Sequence, residues 1–154
     1  MIKAVFFDFG GTLMDDESDR LAHLELMRSV GRHFGLHATG EELLADFREA
    51  MLPSIQERPH RWITFREIAS TLLGQILEHH QAQPATDEDL AWFWDEYFRL
   101  HYQICRLFPG VDETLRDVRS RDLHLGLISD IDDEYLYDQM RLFDIDQVFD
   151  SITT

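Results

Sequence analysis

Ile2-Lys3-Ala4-Val5-Phe6-Phe7-Asp8-Phe9-Gly10-Gly11-Thr12-Leu13 is the stretch whose reading decides the fold. Residues 2–7 are a short apolar run, too short for a buried helix and of the kind that parallel sheets cover on both faces. They predict a fully buried β-strand with Asp8 at its C-terminal end. In open α/β sheets that end faces the ligand crevice. Gly10-Gly11 then lets the backbone turn and approach a ligand closely, and successive N–H groups in such a turn can cradle an anion. From these residues alone two readings of Asp8 stand: an acid that caps a helix after a polar turn, and a carboxylate placed for chemistry.

Downstream the periodicity changes. Residues 16–104 read as helices. Leu21, Leu24, Met27, Val30 and Phe34 recur at helical spacing, and Gly35 is a C-terminal stop. Thr39-Gly40-Glu41-Glu42 and Thr64-Phe65-Arg66-Glu67 fit capping boxes. Leu43, Phe47 and Met51 follow the first box, and Phe65, Ile68, Leu72 and Ile76 the second. Pro53 and Pro59 are expected to break the pattern. Thr86 caps a fourth stripe of Leu90, Phe93, Trp94, Tyr97, Leu100, His101 and Ile104. Four such helices should bury their stripes as a bundle. Within Trp92-Phe93-Trp94, spacing puts Phe93 and Trp94 in the core and turns Trp92 elsewhere. Adjacent His79 and His80 cannot share a helix face, so no histidine metal site is expected. After the bundle the pattern becomes β-α-β: a helix marked by Val111, Leu115 and Val118, a strand at 123–128, a helix marked by Leu136, Met140 and Phe143, and a third strand begun by Val148, Phe149 and Ile152.

Asp8-Phe9-Gly10-Gly11-Thr12-Leu13 resembles motif I of the haloacid dehalogenase (HAD) superfamily, D-x-D-G-T-[LV] after an apolar strand, and Asp15 matches an acid common just after it. Leu107-Phe108-Pro109-Gly110-Val111, a helix, and Leu123-His124-Leu125-Gly126-Leu127-Ile128-Ser129-Asp130 resemble the helix-strand unit that ends in motif II. The resemblance implies an α/β fold: a Rossmann-like parallel sheet core from 1–15 and 105–154, present only in its N-terminal part, with a helical C1 cap at 16–104. It implies a hydrolase in which Asp8 is the catalytic nucleophile and forms an aspartyl-phosphate. Magnesium would be held by Asp8 and the Gly10 carbonyl, and phosphate bound at Phe9, Gly10, Ser129 and Asp130.

Two departures stand against that pattern. Family phosphatases place an acid–base Asp where this chain has Gly10, and such assistance is typically worth ~100- to 10,000-fold. Asp15, Asp16, Asp130 and Asp132 are the nearby acids that could replace it. The Lys of motif III and the acidic pair of motif IV have no counterpart before Thr154, since Arg141 precedes the third strand. The expectation is therefore the N-terminal part of a longer protein, inactive alone. Three functions follow: a magnesium-dependent phosphatase of small phosphate esters, a metal-independent dehalogenase-like hydrolase, and a degenerate phosphate- or partner-binding relative.

Composition narrows the partners. With 30 acidic against 14 basic residues, the formal charge is −16. That argues against nucleic acid and against an anionic membrane surface. The expected partner is a small phosphorylated metabolite, whose repulsion a bound cation would ease. Cys105, the single cysteine, reads as a packed helix position. The apolar N-terminal run is too short for a signal sequence, no stretch is long enough to span a bilayer, and the expected compartment is the cytoplasm.

Overall fold

The structure, a computed structural model, describes residues 2–57 and 63–154, with backbone alone at 54–57. Three strands and six helices are found there: β1 Ala4–Phe7, α1 Asp16–Phe34, α2 Gly40–Glu57, α3 Phe65–His79, α4 Asp87–Ile104, α5 Val111–Ser120, β2 His124–Ile128, α6 Asp133–Leu142 and β3 Ser151–Thr153. The chain is α/β, with a parallel sheet of order β1-β2-β3. It divides into two compact units, one of Met1–Arg20 with Ile104–Thr154 and one of Leu21–Gln103.

In the first unit, β2 is the central strand because Leu125, Gly126 and Leu127 are buried while His124 and Ile128 at its ends are exposed. It pairs with β1 from Ala4↔His124 to Phe7↔Leu127 and with β3 from Gly126↔Ser151 to Ile128↔Thr153. Asp150 ties β3 in place: its carboxylate accepts from the Leu125 N–H at 2.8 Å and its own N–H donates to the Leu125 carbonyl at 2.7 Å. Phe9, Leu13, Met14, Cys105, Leu115, Leu136, Met140 and Ile145 fill the core. Gly126 lies under the Phe6 ring, which a Cβ there would force to shift.

The expected fully buried strand at 2–7 is corrected in two ways. β1 starts at Ala4, and Ile2 and Phe6 are 74% and 53% exposed. Among the described residues β1 pairs on one side only, and the face carrying Ile2, Phe6 and Ile128 stays open. The third strand also starts late, at Ser151, because Val148 closes the preceding turn and Phe149 lies in the connecting loop; the Val148 N–H donates to the Ile145 carbonyl at 3.2 Å. Cys105 lies one residue past α4 rather than inside it, and is buried.

The second unit is helical. Gly35 ends α1 at φ 64°, where the Leu36 N–H reaches back to the Gly31 carbonyl at 2.9 Å. Both capping boxes form. The Thr39 and Thr64 N–H groups donate to Glu42 and Glu67 at 2.8 and 3.0 Å, and each glutamate N–H returns to the threonine hydroxyl at 3.2 Å. Thr86 makes the same exchange with Asp89. Leu24, Met27, Val30, Leu43, Phe47, Ile68, Leu72, Ile76, Phe93, Trp94, Tyr97 and Leu100 are buried as the stripes predict.

Several details differ from the stripes. Leu21 is 40% exposed, and buried Leu26, Leu73 and Leu77 widen the packed faces. Pro53 lies inside α2 instead of ending it; Pro59 is outside the described residues. Trp92 is half-buried, with its ring stacked on His33 at 3.7 Å. His101 is fully buried, and its Nδ1 sits 2.7 Å from the Tyr97 carbonyl. A carbonyl only accepts, so Nδ1 carries the proton there, and Nε2 lies 3.3 Å from His23 Nδ1.

Candidate active site

The register of β1 against β2 places the site. Phe7 is level with Leu127, so Asp8 and Ser129 leave adjacent parallel strands at the same end. Neighbouring strands lie about 4.8 Å apart, so residues emerging side by side there face one shared space. This is the C-terminal edge, where open α/β sheets bind ligands.

The turn after Asp8 is drawn around one carbonyl. Phe9 O accepts from the N–H groups of Thr12 at 3.4 Å, Leu13 at 2.9 Å and Met14 at 2.9 Å. Gly11 has φ 68°, a left-handed conformation that glycine adopts without strain, and its N–H donates to the Met14 carbonyl at 3.1 Å. The Phe9 side chain is fully buried and anchors the loop from below. Asp8 itself is exposed, and its Oδ1 accepts from the Phe9 N–H at 2.7 Å.

This geometry separates the two readings of Asp8. The helix-capping acid is Asp15, whose Oδ1 accepts from the Glu17 N–H at 3.2 Å at the start of α1. Asp8 caps no helix. Asp15 is thereby engaged, and Asp132 sits at the N-cap of α6. Asp130 stands in the loop after β2, exposed and next to Ser129. Ser129 is 7% exposed; its N–H donates to Thr153 of β3 at 2.9 Å and its hydroxyl accepts from the Ile131 N–H at 3.4 Å.

Gly10 is the junction between the two loops. A Cβ built on it would lie 3.6 Å from Ile131 Cδ1, an ordinary contact, and its φ is not positive. Its carbonyl accepts no hydrogen bond among the described residues. The open donors at this edge are therefore a carboxylate and a carbonyl, both hard oxygens of the type magnesium takes. Segments 4–19 and 123–140, which carry the site, contain no Lys or Arg. Cys105 offers no second nucleophile, because burial pushes its thiol up to about 12 and keeps it protonated at neutral pH.

The structure also brings together residues that sequence spacing set apart. His80 leaves α3 at its C-cap with φ −87° and ψ 11°. Its ring centroid lies 5.0 Å from that of His79. Its Nε2 lies 2.8 Å from Asp46 Oδ2 on α2. Adjacent helical positions thus do not keep these two rings apart, because each ring extends far enough from its Cβ to reach its neighbour.

A parallel sheet with a carboxylate and a small hydroxyl at one strand end, and a helical segment between the two strands in sequence, defines the class as an α/β protein with its polar groups at the C-terminal edge of the sheet. A family profile for haloacid dehalogenase-like hydrolases matches residues 2–154, and the chain belongs to that family.

Solved structures agree in fold. A protein from Thermotoga maritima assigned as a beta-phosphoglucomutase is 23% identical at a TM-score of 0.72, with 99% of this chain and 61% of that one covered. The HAD-hydrolase YfnB from Bacillus subtilis, bound to magnesium, gives 16%, 0.75, 98% and 64% in the same order. The L-2-haloacid dehalogenase from Xanthobacter autotrophicus gives 20%, 0.66, 100% and 57%. The chain thus spans roughly three-fifths of the length of these structures. A search of the curated proteins finds no match. Among the described residues no helix is long and apolar enough to cross a membrane.

Proposed function

We propose that the protein hydrolyses a small phosphate ester, with Asp8 as the nucleophile. The observation that carries this reading is the placement of Asp8 and Ser129 at the same end of adjacent parallel strands, beside a glycine turn. An Asp8 carboxylate oxygen attacks phosphorus, forming an acyl-phosphate O–P bond as the ester P–O bond breaks. The departing alkoxide takes a proton, and water then opens the acyl phosphate to restore Asp8 and release inorganic phosphate. A carboxylate is already ionised at pH 7, so what limits the attack is alignment and repulsion between two anions.

Repulsion matters here because the two site segments supply acids and no cation of their own. Magnesium, when held by the Asp8 carboxylate and the Gly10 carbonyl, supplies the positive charge that offsets it. The Ser129 hydroxyl and the backbone at Phe9 and Gly10 are the phosphate contacts in this reading. With Gly10 in the place of an acid, the leaving oxygen takes its proton from solvent in this reading. The Leu21–Gln103 unit acts as the cap that selects the ester. A small phosphorylated metabolite is the substrate class, and the cytoplasm its compartment.

Gly10 favours a second reading. Without an acid at that position, attack by Asp8 on carbon with loss of halide needs no leaving-group proton. The test is hydrolysis of p-nitrophenyl phosphate with magnesium, beside halide release from a 2-haloacid without metal. Magnesium-dependent phosphate release that Asp8→Asn abolishes supports the phosphatase. Metal-independent halide release supports the second reading. Phosphate binding without either turnover would leave a binding protein.

A further inference from the structure

We propose that Asp46, His79 and His80 form a transition-metal site that clips α2 to α3. One ligand atom from each lies within 4.8 Å of the other two. Ligand atoms about a tetrahedral zinc ion are about 3.3 Å apart, as bond lengths near 2 Å require. The cluster closes to that spacing by small side-chain rotations, which its exposure allows: the His80 and Asp46 side chains are 22% and 31% exposed and His79 more so. The Asp46–His80 pair, in hydrogen-bond contact at 2.8 Å, needs to open only by about 0.5 Å to reach that spacing.

The donor set selects the ion. Two imidazoles and one carboxylate suit zinc, cobalt or nickel, whereas magnesium prefers oxygen alone. The position favours a cation as well. His79 is the last residue of α3 and His80 its C-cap, where the helix carries its partial negative charge and the His80 N–H still donates to Ile76 O at 3.0 Å. Glu49 and His79 line one hollow of about 240 Å³ beside Asp46, and Glu42 and His80 line another of about 420 Å³. Solvent therefore reaches the cluster from both sides, and water completes the coordination. The site belongs wholly to the Leu21–Gln103 unit and is independent of the chemistry at Asp8.

The plain alternative is that Asp46 and His80 form an ion pair with His79 a bystander. His79 separates the two, because among the described residues it makes a ring contact with His80 and no hydrogen bond. The test is calorimetric titration with zinc chloride and visible spectroscopy with cobalt, in the protein carrying Asp8→Asn so that a cation at Asp8 is not counted. One equivalent of zinc is expected, with affinity falling at least tenfold in His79→Ala and in Asp46→Asn while circular dichroism stays unchanged. His23→Ala should bind as the parent does. No saturable binding, binding indifferent to His79→Ala, or binding lost in His23→Ala would each overturn the proposal.

Discussion

Replacing Gly10 by aspartate tests the active-site reading most directly. The backbone accepts the change, since φ at Gly10 is not positive and the new Cβ meets only Ile131 Cδ1 at 3.6 Å. The side chain would grow toward the loop after β2, which carries Ser129 and Asp130, and so into the edge where Asp8 emerges. A positioned acid–base group is worth roughly 100- to 10,000-fold, or about 2.7–5.5 kcal/mol of barrier. The expected outcome is a rise of that order in magnesium-dependent kcat for an alkyl phosphate. The rise should be smaller for p-nitrophenyl phosphate, whose leaving group departs without a proton. Steady-state phosphate release on both substrates reads the contrast, with thermal melts to establish that the variant is folded. A folded Gly10→Asp protein with no gain on either substrate would refute the idea that this edge is a phosphatase site in which Gly10 stands in the place of the acid.

Four other outcomes follow from the same coordinates. Asp8→Asn should remove turnover while leaving the melting temperature close to the parent's, because Asp8 is exposed and an amide oxygen can still accept from the Phe9 N–H. Thr64→Ala should cost about 1 kcal/mol in denaturant unfolding by breaking the capping box of α3. Gln139→Met should stabilise by about 1–3 kcal/mol, since both amide atoms of Gln139 are buried without a partner among the described residues; a loss of stability would reveal a partner for that amide. Asp89 is held down to about 2, first by the hydrogen bond from His33 and then by the Thr86 N–H and hydroxyl. A depressed carboxylate stabilises the fold fully above the ordinary aspartate value of 3.8 and loses that contribution as pH falls toward 2. Carboxyl NMR titration should therefore find Asp89 well below its peers, and His33→Ala should raise it.

Much of the fold was legible because its signals are local. A capping box at Thr64 and Glu67 needs only four residues in order, and the stripe from Ile68 to Ile76 needs only helical spacing. The same is true of Asp8 at the end of an apolar run. What misled was context. The apolar composition of residues 2–7 predicts burial, yet Phe6 is half-exposed because its strand pairs on one side only among the described residues. Pro53 predicts a break, yet α2 carries it, since a single lost N–H bond at an exposed position does not undo a helix held elsewhere by Leu43, Leu44 and Phe47.

Sequence by itself determined the family, the strand that delivers Asp8, and the glycine that stands where an acid would serve the leaving group. These depend on residue type and order along a few neighbouring positions. Tertiary structure decided which acid caps the helix and which stays open, because that turns on Asp15 meeting the Glu17 N–H while Asp8 does not reach a helix. It also brought Asp8 and Ser129 to the same end of adjacent strands, through a parallel register between segments more than a hundred residues apart. It gathered Asp46, His79 and His80 by packing α2 against the C-terminal end of α3. Spacing along a chain cannot encode such meetings, since they depend on where separate elements pack.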